Sequence, residues 1–366
     1  MPISAVDTIT LAFQHTKRQL LQPFRFGQWT RLAFVGLLAG EMSSSGCHVP
    51  TNFNLPQHVP SSRNLFDPGF GGGFGGFDPA MYAGLIAIVV AAALVFGIVM
   101  LYLNSVMRFI LFDSVLAKEC HILAGWSRRQ GPAWKYFFWQ LGYLVAMLAG
   151  LAIFVGIPAA IALGLGWFNQ PSDHVLGWVL GGIFLLFVVL IFFVIAIAVQ
   201  VLTKDFVVPQ MALDGIGPIE GWRRLWPMML AEKGGYAAYL GMKVVLAIGA
   251  GIVIGIASII LGLIIAIPTI GLGIVAVITG KTAGLTWNLY TITIAVVVAF
   301  VLFAIFLYLM SLLAVPVIVF FPAYSIYFFA ARYRALSLAL YPPPPPLPPG
   351  MPPDQPPPPL LPEPVG

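Results

Sequence analysis

The chain has 366 residues, of which 60% are apolar and only 8% charged, with a formal net charge of +5. Soluble domains carry about 25% charged residues, so these figures exclude both a water-soluble globular enzyme and a disordered chain. Uncharged runs such as the 50 residues between Lys281 and Arg332 exceed the roughly 20 apolar residues that a bilayer crossing needs. The expected fold is all-α: a polytopic transmembrane helical bundle of about six spans with interfacial helices.

In chain order, residues 1–27 predict a cytoplasmic amphipathic helix. Val6, Ile9, Phe13 and Leu20 share one face, Thr10, Gln14 and Lys17 lie off it, and Ser4 is placed to cap it. The transmembrane domain follows over 28–335. Its spans are expected near 28–43, 81–105, 134–165, 175–202, 236–267 and 287–314. Between the first two lies an external Gly/Pro-rich loop, 44–79. After the sixth, Pro316 and Pro322 are expected to break the helix into an interfacial segment. Residues 336–366 form a proline-rich cytoplasmic tail that cannot join a helix; 15 of the 31 prolines fall after Tyr341. Such a tail is a spacer, or a ligand for a partner domain with an aromatic groove.

Basic residues set the orientation. Of the 18 lysines and arginines, all but Arg63 and Lys281 fall on one side of this topology, which places both termini in the cytoplasm of a plasma (inner) membrane protein. The same distribution argues against nucleic acid as a partner, because the cations sit at span ends. Cys47 and Cys120 fall on opposite sides and cannot pair within one chain.

An internal repeat organises the spans. Trp29-Thr30-Arg31, Trp126-Ser127-Arg128-Arg129 and Trp222-Arg223-Arg224 recur with tryptophans 97 and 96 residues apart, each ahead of a hairpin. Leu101-Tyr102-Leu103-Asn104-Ser105 is echoed by Leu307-Tyr308-Leu309-Met310-Ser311. Short apolar segments, Phe109 to Leu116, Phe206 to Leu213 and Val315 to Phe321, follow the hairpins as expected interfacial exits. Three copied units predict three hairpins in a pseudo-threefold repeat. Trp29, Arg31, Trp126, Arg128, Arg129, Trp222, Arg223 and Arg224 are the lipid-interface candidates, with the bilayer and its anionic lipids as partner.

The search for chemistry ends without a catalytic constellation. Gly71-x-Gly73-x-x-Gly76 follows no strand and opens no helix, and Gly280-Lys281-Thr282 lacks the earlier glycine of a phosphate loop. Cys47, His48 and His58, with Asp67, are too few and too scattered to predict a metal site. The spans are read as free of ionisable groups, with Lys243 the closest and able to snorkel. Gly142-x-x-x-Ala146-x-x-x-Gly150 and Gly251-x-x-x-Gly255 mark expected close helix packing. Pro158 and Pro268 are expected near helix exits. No cofactor is implied. The expected function is a non-enzymatic scaffold, accessory or membrane-organising protein. The alternative is a transporter or channel for an apolar or zwitterionic solute. Oligomeric state is not legible.

The stretch Thr16-Lys17-Arg18, Pro23-Phe24-Arg25-Phe26 and Trp29-Thr30-Arg31-Leu32, ahead of a glycine-rich first loop, resembles a family of uncharacterised prokaryotic integral membrane proteins with about six spans. The hairpin layout is more distantly similar to the membrane domain of glycerophosphodiester phosphodiesterases. No phosphodiesterase domain follows, so the resemblance implies a class of protein and transfers no catalytic residue.

Overall fold

The computed structural model describes residues 4–41, 79–167, 174–282 and 289–342. Every element among them is helical: α1 (Asp7–Leu21), α2 (Phe26–Leu38), α3 (Pro79–Ala117), α4 (Ile122–Gly164), α5 (Val175–Leu202), α6 (Val208–Asp214), α7 (Pro218–Ala231), α8 (Lys233–Thr282), α9 (Leu289–Ala330) and α10 (Arg334–Leu340). Five helical stretches are long and apolar enough to cross a membrane: Ile86–Ala117, Ile122–Gly164, Val175–Asp214, Lys233–Gly280 and Tyr290–Ala330. The glycine-rich loop, Cys47, His48, His58, Asp67 and the tail beyond residue 342 lie outside the described residues.

The long helices overshoot the bilayer. α8, with 50 residues, is about 75 Å long at 1.5 Å per residue, against a hydrocarbon core of about 30 Å. The excess is explained by burial. The outer halves carry exposed apolar side chains such as Leu94, Phe184, Ile260 and Val296. The opposite halves of the same helices converge with α1, α2, α6, α7 and α10 into a packed inner lobe. Its core holds Phe109, Ile110, Phe206, Met211, Tyr239, Val315, Ile318 and Phe328.

Several sequence expectations change here. The apolar segments after the hairpins do not lie apart on the surface. Phe109, Val115, Phe206, Val207, Val315 and Val319 are fully buried, because each segment continues its helix into the lobe. Pro316 and Pro322 do not break α9, and Pro268 lies inside α8, while Pro158 lies close to the end of α4 as expected. A proline removes one backbone bond, and a long helix held by packing on both sides of it survives that loss. The expected first span is, among the described residues, the 13-residue α2. At about 20 Å it is shorter than the hydrocarbon core, and the end of the expected span, residues 42–43, lies outside the described residues. It ends where Gly40 adopts a left-handed φ of 71°, a conformation that favours glycine.

α1 packs through its polar side. Its buried face is Thr8, Ala12, His15, Thr16, Gln19 and Leu20, while Val6 and Phe13 are exposed. Gln19 donates to the Ser114 carbonyl (2.9 Å), and Tyr324 donates to the Ala5 carbonyl (3.2 Å). The polar face therefore binds α3 and α9. Ser4 Oγ accepts from the Asp7 N–H at 3.2 Å, as the capping expectation requires. The small-residue stripes divide. A Cβ on Gly150 would lie 2.8 Å from Phe192, whereas Gly142 and Gly255 have nothing within 4 Å.

Candidate functional site

Five ionisable side chains meet inside the lobe. Glu41 follows the Gly40 turn and is 1% exposed. It pairs with Lys204, while the neighbouring Asp205 pairs with Lys243 of α8 and accepts a hydrogen bond from Tyr239 at 2.9 Å. Arg108 of α3 donates to the Tyr136 hydroxyl (2.8 Å) and to the Ala39 carbonyl (3.1 Å). Its Nε is buried and has no hydrogen-bond partner among the described residues. Glu41, Arg108, Lys204, Asp205 and Ser325 line a cavity of about 30 Å³.

The local cause is a π turn over Thr203–Val207, between α5 and α6. Pro209 lacks an N–H and its ring crowds the carbonyl four residues back, that of Asp205. The widened turn relieves that crowding and presents Lys204 and Asp205 to different partners, on α2's end and on α8. Such turns recur at functional sites. Beside the cluster, Ser105 Oγ lies 2.8 Å from Gln140 Oε1, and Asn104 donates to the Leu38 carbonyl at 3.2 Å.

This cluster corrects the reading that the spans lack ionisable groups. In the sequence Arg108, Lys204 and Lys243 read as topology signals. Lys243 does not snorkel; its ammonium lies beside Asp205 and near the Tyr239 and Phe321 rings. The one sequence signal available was the adjacent opposite charges Lys204-Asp205, set between long apolar runs.

The three tryptophan–basic clusters occupy related places. Trp29 of α2 donates to the Leu312 carbonyl of α9 (2.9 Å), and Trp222 of α7 donates to Thr203 at the end of α5 (3.1 Å). Trp126 of α4 meets the Tyr102 ring of α3, with centroids 6.1 Å apart. Each indole thus contacts a long helix other than its own: α9, α5 and α3 respectively. Beside two of them a close approach repeats: a Cβ on Gly125 would lie 3.1 Å from Ile110, and one on Gly221 would lie 2.7 Å from Val207.

The basic partners diverge. Arg129 turns inward, with a bidentate pair to Asp113 (2.6 Å) and a bond to the Ala212 carbonyl (2.6 Å). Arg31, Arg128 and Arg223 are exposed. Arg31 reaches the Cys120 carbonyl at 3.4 Å and Arg223 pairs with Glu220 at 2.7 Å. Arg224 pairs with Asp214 (2.8 Å) and Glu220 (3.2 Å).

Two titrating groups fasten the ends of the lobe. The Val115 carbonyl can only accept, so His15 Nε2, 3.0 Å away, carries the proton, and Nδ1 accepts from Tyr327 at 3.1 Å. Burial, with Lys118 nearby, pushes the His15 pKa below its ordinary 6.5. At the other end, Arg332 grips Glu232 through two 2.7 Å bonds and holds that carboxyl below its usual range against the opposing desolvation.

Outside the lobe, an apolar crevice of about 480 Å³ opens between α3, α4 and α5. Leu144, Met147, Leu148 and Phe193 line it, with Gln140, Tyr143 and Gln200 as its polar members. Among the described residues, no group of three or more His, Cys, Asp and Glu side chains is placed to hold a metal ion.

Over residues 3–339 the chain matches the family described as "Family of unknown function (DUF7544)", and it belongs to that family. No curated protein and no solved structure matches it.

Proposed function

We propose that this chain is a non-enzymatic integral membrane protein of scaffold, accessory or membrane-organising type that holds anionic lipid headgroups at its cytoplasmic face. One observation carries the reading. In each cluster the indole faces a helix of the lobe while a guanidinium one or two residues on, that of Arg31, Arg128 or Arg223, faces outward. A half-buried indole fixes depth at an interface, and each outward cation near an anionic leaflet contributes about 1 kcal/mol.

The finer architecture belongs to the same proposal: six spans as three hairpins, both termini cytoplasmic, in a plasma (inner) membrane. The cyclic pattern of indole contacts supports three related units. The packing of α1 against α9 near Arg332 and Arg334 supports a shared side for the two ends of the described chain. The crevice beside Gln140 and Gln200 favours a second reading, a path or pocket for an apolar solute or lipid tail. The test is retained lipid. Replacing Arg31, Arg128 and Arg223 with Gln should deplete anionic lipid in the purified protein, measured by native mass spectrometry. An unchanged lipid complement in a folded triple variant would leave these residues as topology signals only.

A further inference from the structure

The three tryptophan–basic clusters share more than an indole and a cation. Three residues before each tryptophan, in the first turn of its helix, stands a large apolar side chain that the described residues leave uncovered: Phe26, Leu123 and Ile219 are 59%, 87% and 75% exposed. Eleven residues further on, Leu37, Trp134 and Leu230 are exposed as well. Eleven residues make about three helical turns, so the two members of each pair project from the same side of their helix, about 16 Å apart. The sixth residue after each first member, Leu32, Arg129 or Leu225, is buried in the lobe. One pattern of exposed and buried positions thus recurs on α2, on the start of α4 and on α7, in register with the tryptophans.

The surroundings of the long helices continue onto these pairs. On α4 the pair leads into Phe138, Leu144 and Leu148, exposed apolar residues of a stretch able to cross a membrane. On α7 it ends beside Lys233, where the next such stretch begins. The indoles next to the pairs rest on α9, α3 and α5. A surface repeated beside three long helices is matched by a medium that surrounds the lobe, not by one partner docked on a single side. The flanks are polar. An outward arginine, Arg31, Arg128 or Arg223, follows each first member by four or five residues, and Gln130 shares the face of the α4 pair. Glu220 balances Arg223 at 2.7 Å, so attraction to anionic lipid is not the main force on α7. An exposed apolar line with polar, cation-bearing flanks suits the boundary between headgroups and acyl chains, into which an in-plane helix sinks by about 5–10 Å.

We propose that Phe26 with Leu37, Leu123 with Trp134, and Ile219 with Leu230 are three apolar anchors that hold the lobe at this boundary, with the hydrocarbon of one lipid leaflet as their partner. Three attachments around one lobe fix its depth and its tilt. The proposal rests on the lipid reading above for its partner, but it uses apolar side chains in place of the arginines and requires no anionic headgroup.

The experiment uses the full chain without Cys47 and Cys120, reconstituted into vesicles of zwitterionic lipid alone. Phe26→Cys, Leu123→Cys and Ile219→Cys each carry one nitroxide. Electron paramagnetic resonance compares its collisions with oxygen, which concentrates in hydrocarbon, and with a water-soluble nickel chelate. Phe184→Cys in an outer half is the hydrocarbon reference, and Glu119→Cys between α3 and α4 is the water reference. The expected result at all three anchors is an oxygen-to-nickel ratio several-fold above that of Glu119→Cys. Ratios equal to the water reference would overturn the anchors. Rare collisions with both reagents would overturn them too, because a second copy of the chain would then cover these positions. If a variant does not fold, Leu37→Cys, Trp134→Cys or Leu230→Cys reads the same anchor. The lipid-retention measurement separates the two proposals. Water-exposed anchors with arginine-dependent retention of anionic lipid would refute the anchors and keep headgroup binding. Inserted anchors with retention unchanged in the arginine variant would support the anchors and remove headgroup binding.

Discussion

The same five long helices behave as two different materials along their length. In the outer halves, Leu94 and Phe184 are 63% and 70% exposed to the surroundings. In the inner lobe, Phe206 is fully buried against Tyr236, Tyr239, Phe328 and Phe329. Apolar composition alone does not separate them. What differs is the partner. The outer halves offer their side chains to lipid, whereas the inner halves bring polar groups and prolines that need specific neighbours. Stability should therefore concentrate in the lobe, and truncations of equal size should differ sharply between the two regions.

The largest contrast is expected at the charge cluster. Asp205→Ala removes the carboxylate from Lys243 and the acceptor from Tyr239. Breaking a buried pair from one side costs about 3–5 kcal/mol, read as a large fall in the thermal midpoint in detergent. A loss no bigger than that of a surface control would show that the cluster is wet. Next comes a matched aromatic pair. Phe206→Ala should lose about 3–5 kcal/mol, while Phe184→Ala should stay within about 0.5 kcal/mol. Equal losses would erase the distinction between the regions.

Glycines sharpen the same contrast at lower amplitude. Gly36 of α2 lies so close to Ile318 of α9 that a methyl group would collide with it, and overpacking of this kind costs about 1–3 kcal/mol. Gly262→Ala, with nothing nearby, should be neutral or gain up to about 1 kcal/mol from helix propensity. Chemical denaturation of both variants measures the difference, and a reversed order would contradict the packing of α2 on α9.

The smallest effect is a pH dependence. The folded His15 pKa lies below its ordinary 6.5, so below that pH the unfolded chain binds more protons than the folded one. Stability from the neutral ring is fully present above about pH 6.5 and declines as pH falls towards the folded value. His15→Gln should flatten this part of the profile. An identical profile in the variant would assign the titration elsewhere. Glu232, also depressed, acts in the same direction but over the acidic range, and it is separable by Glu232→Gln.

The helical class, the long apolar helices and the capping role of Ser4 were legible because they depend on local composition and periodicity. The charge cluster was not. Its members stand at 41, 108, 204, 205 and 243, and only the closure of four chain segments makes them neighbours. The amphipathic character of α1 was legible, and Val6 and Phe13 are exposed as an interfacial helix requires. Its polar side was not, because His15 and Gln19 bond backbone carbonyls of α3 that are distant in sequence. Arg129 read like Arg128 in the sequence, yet its position against Asp113 turns it into an internal brace. The continuity of α9 through Pro316 and Pro322 depended on tertiary packing that no local rule contains.

Lipid recognition as proposed requires the inner lobe, with all three tryptophan–basic clusters, to lie at the cytoplasmic face. Impermeant maleimide labelling of single cysteines in intact cells, in a background without Cys47 and Cys120, tests this most directly. A cysteine at Gly72 should label and one at Gln130, an exposed position of the lobe, should label only after the cells are opened. Labelling of Gln130 in intact cells with protection of Gly72 would invert the topology, and the assignment of the basic clusters to the anionic cytoplasmic leaflet would fail with it.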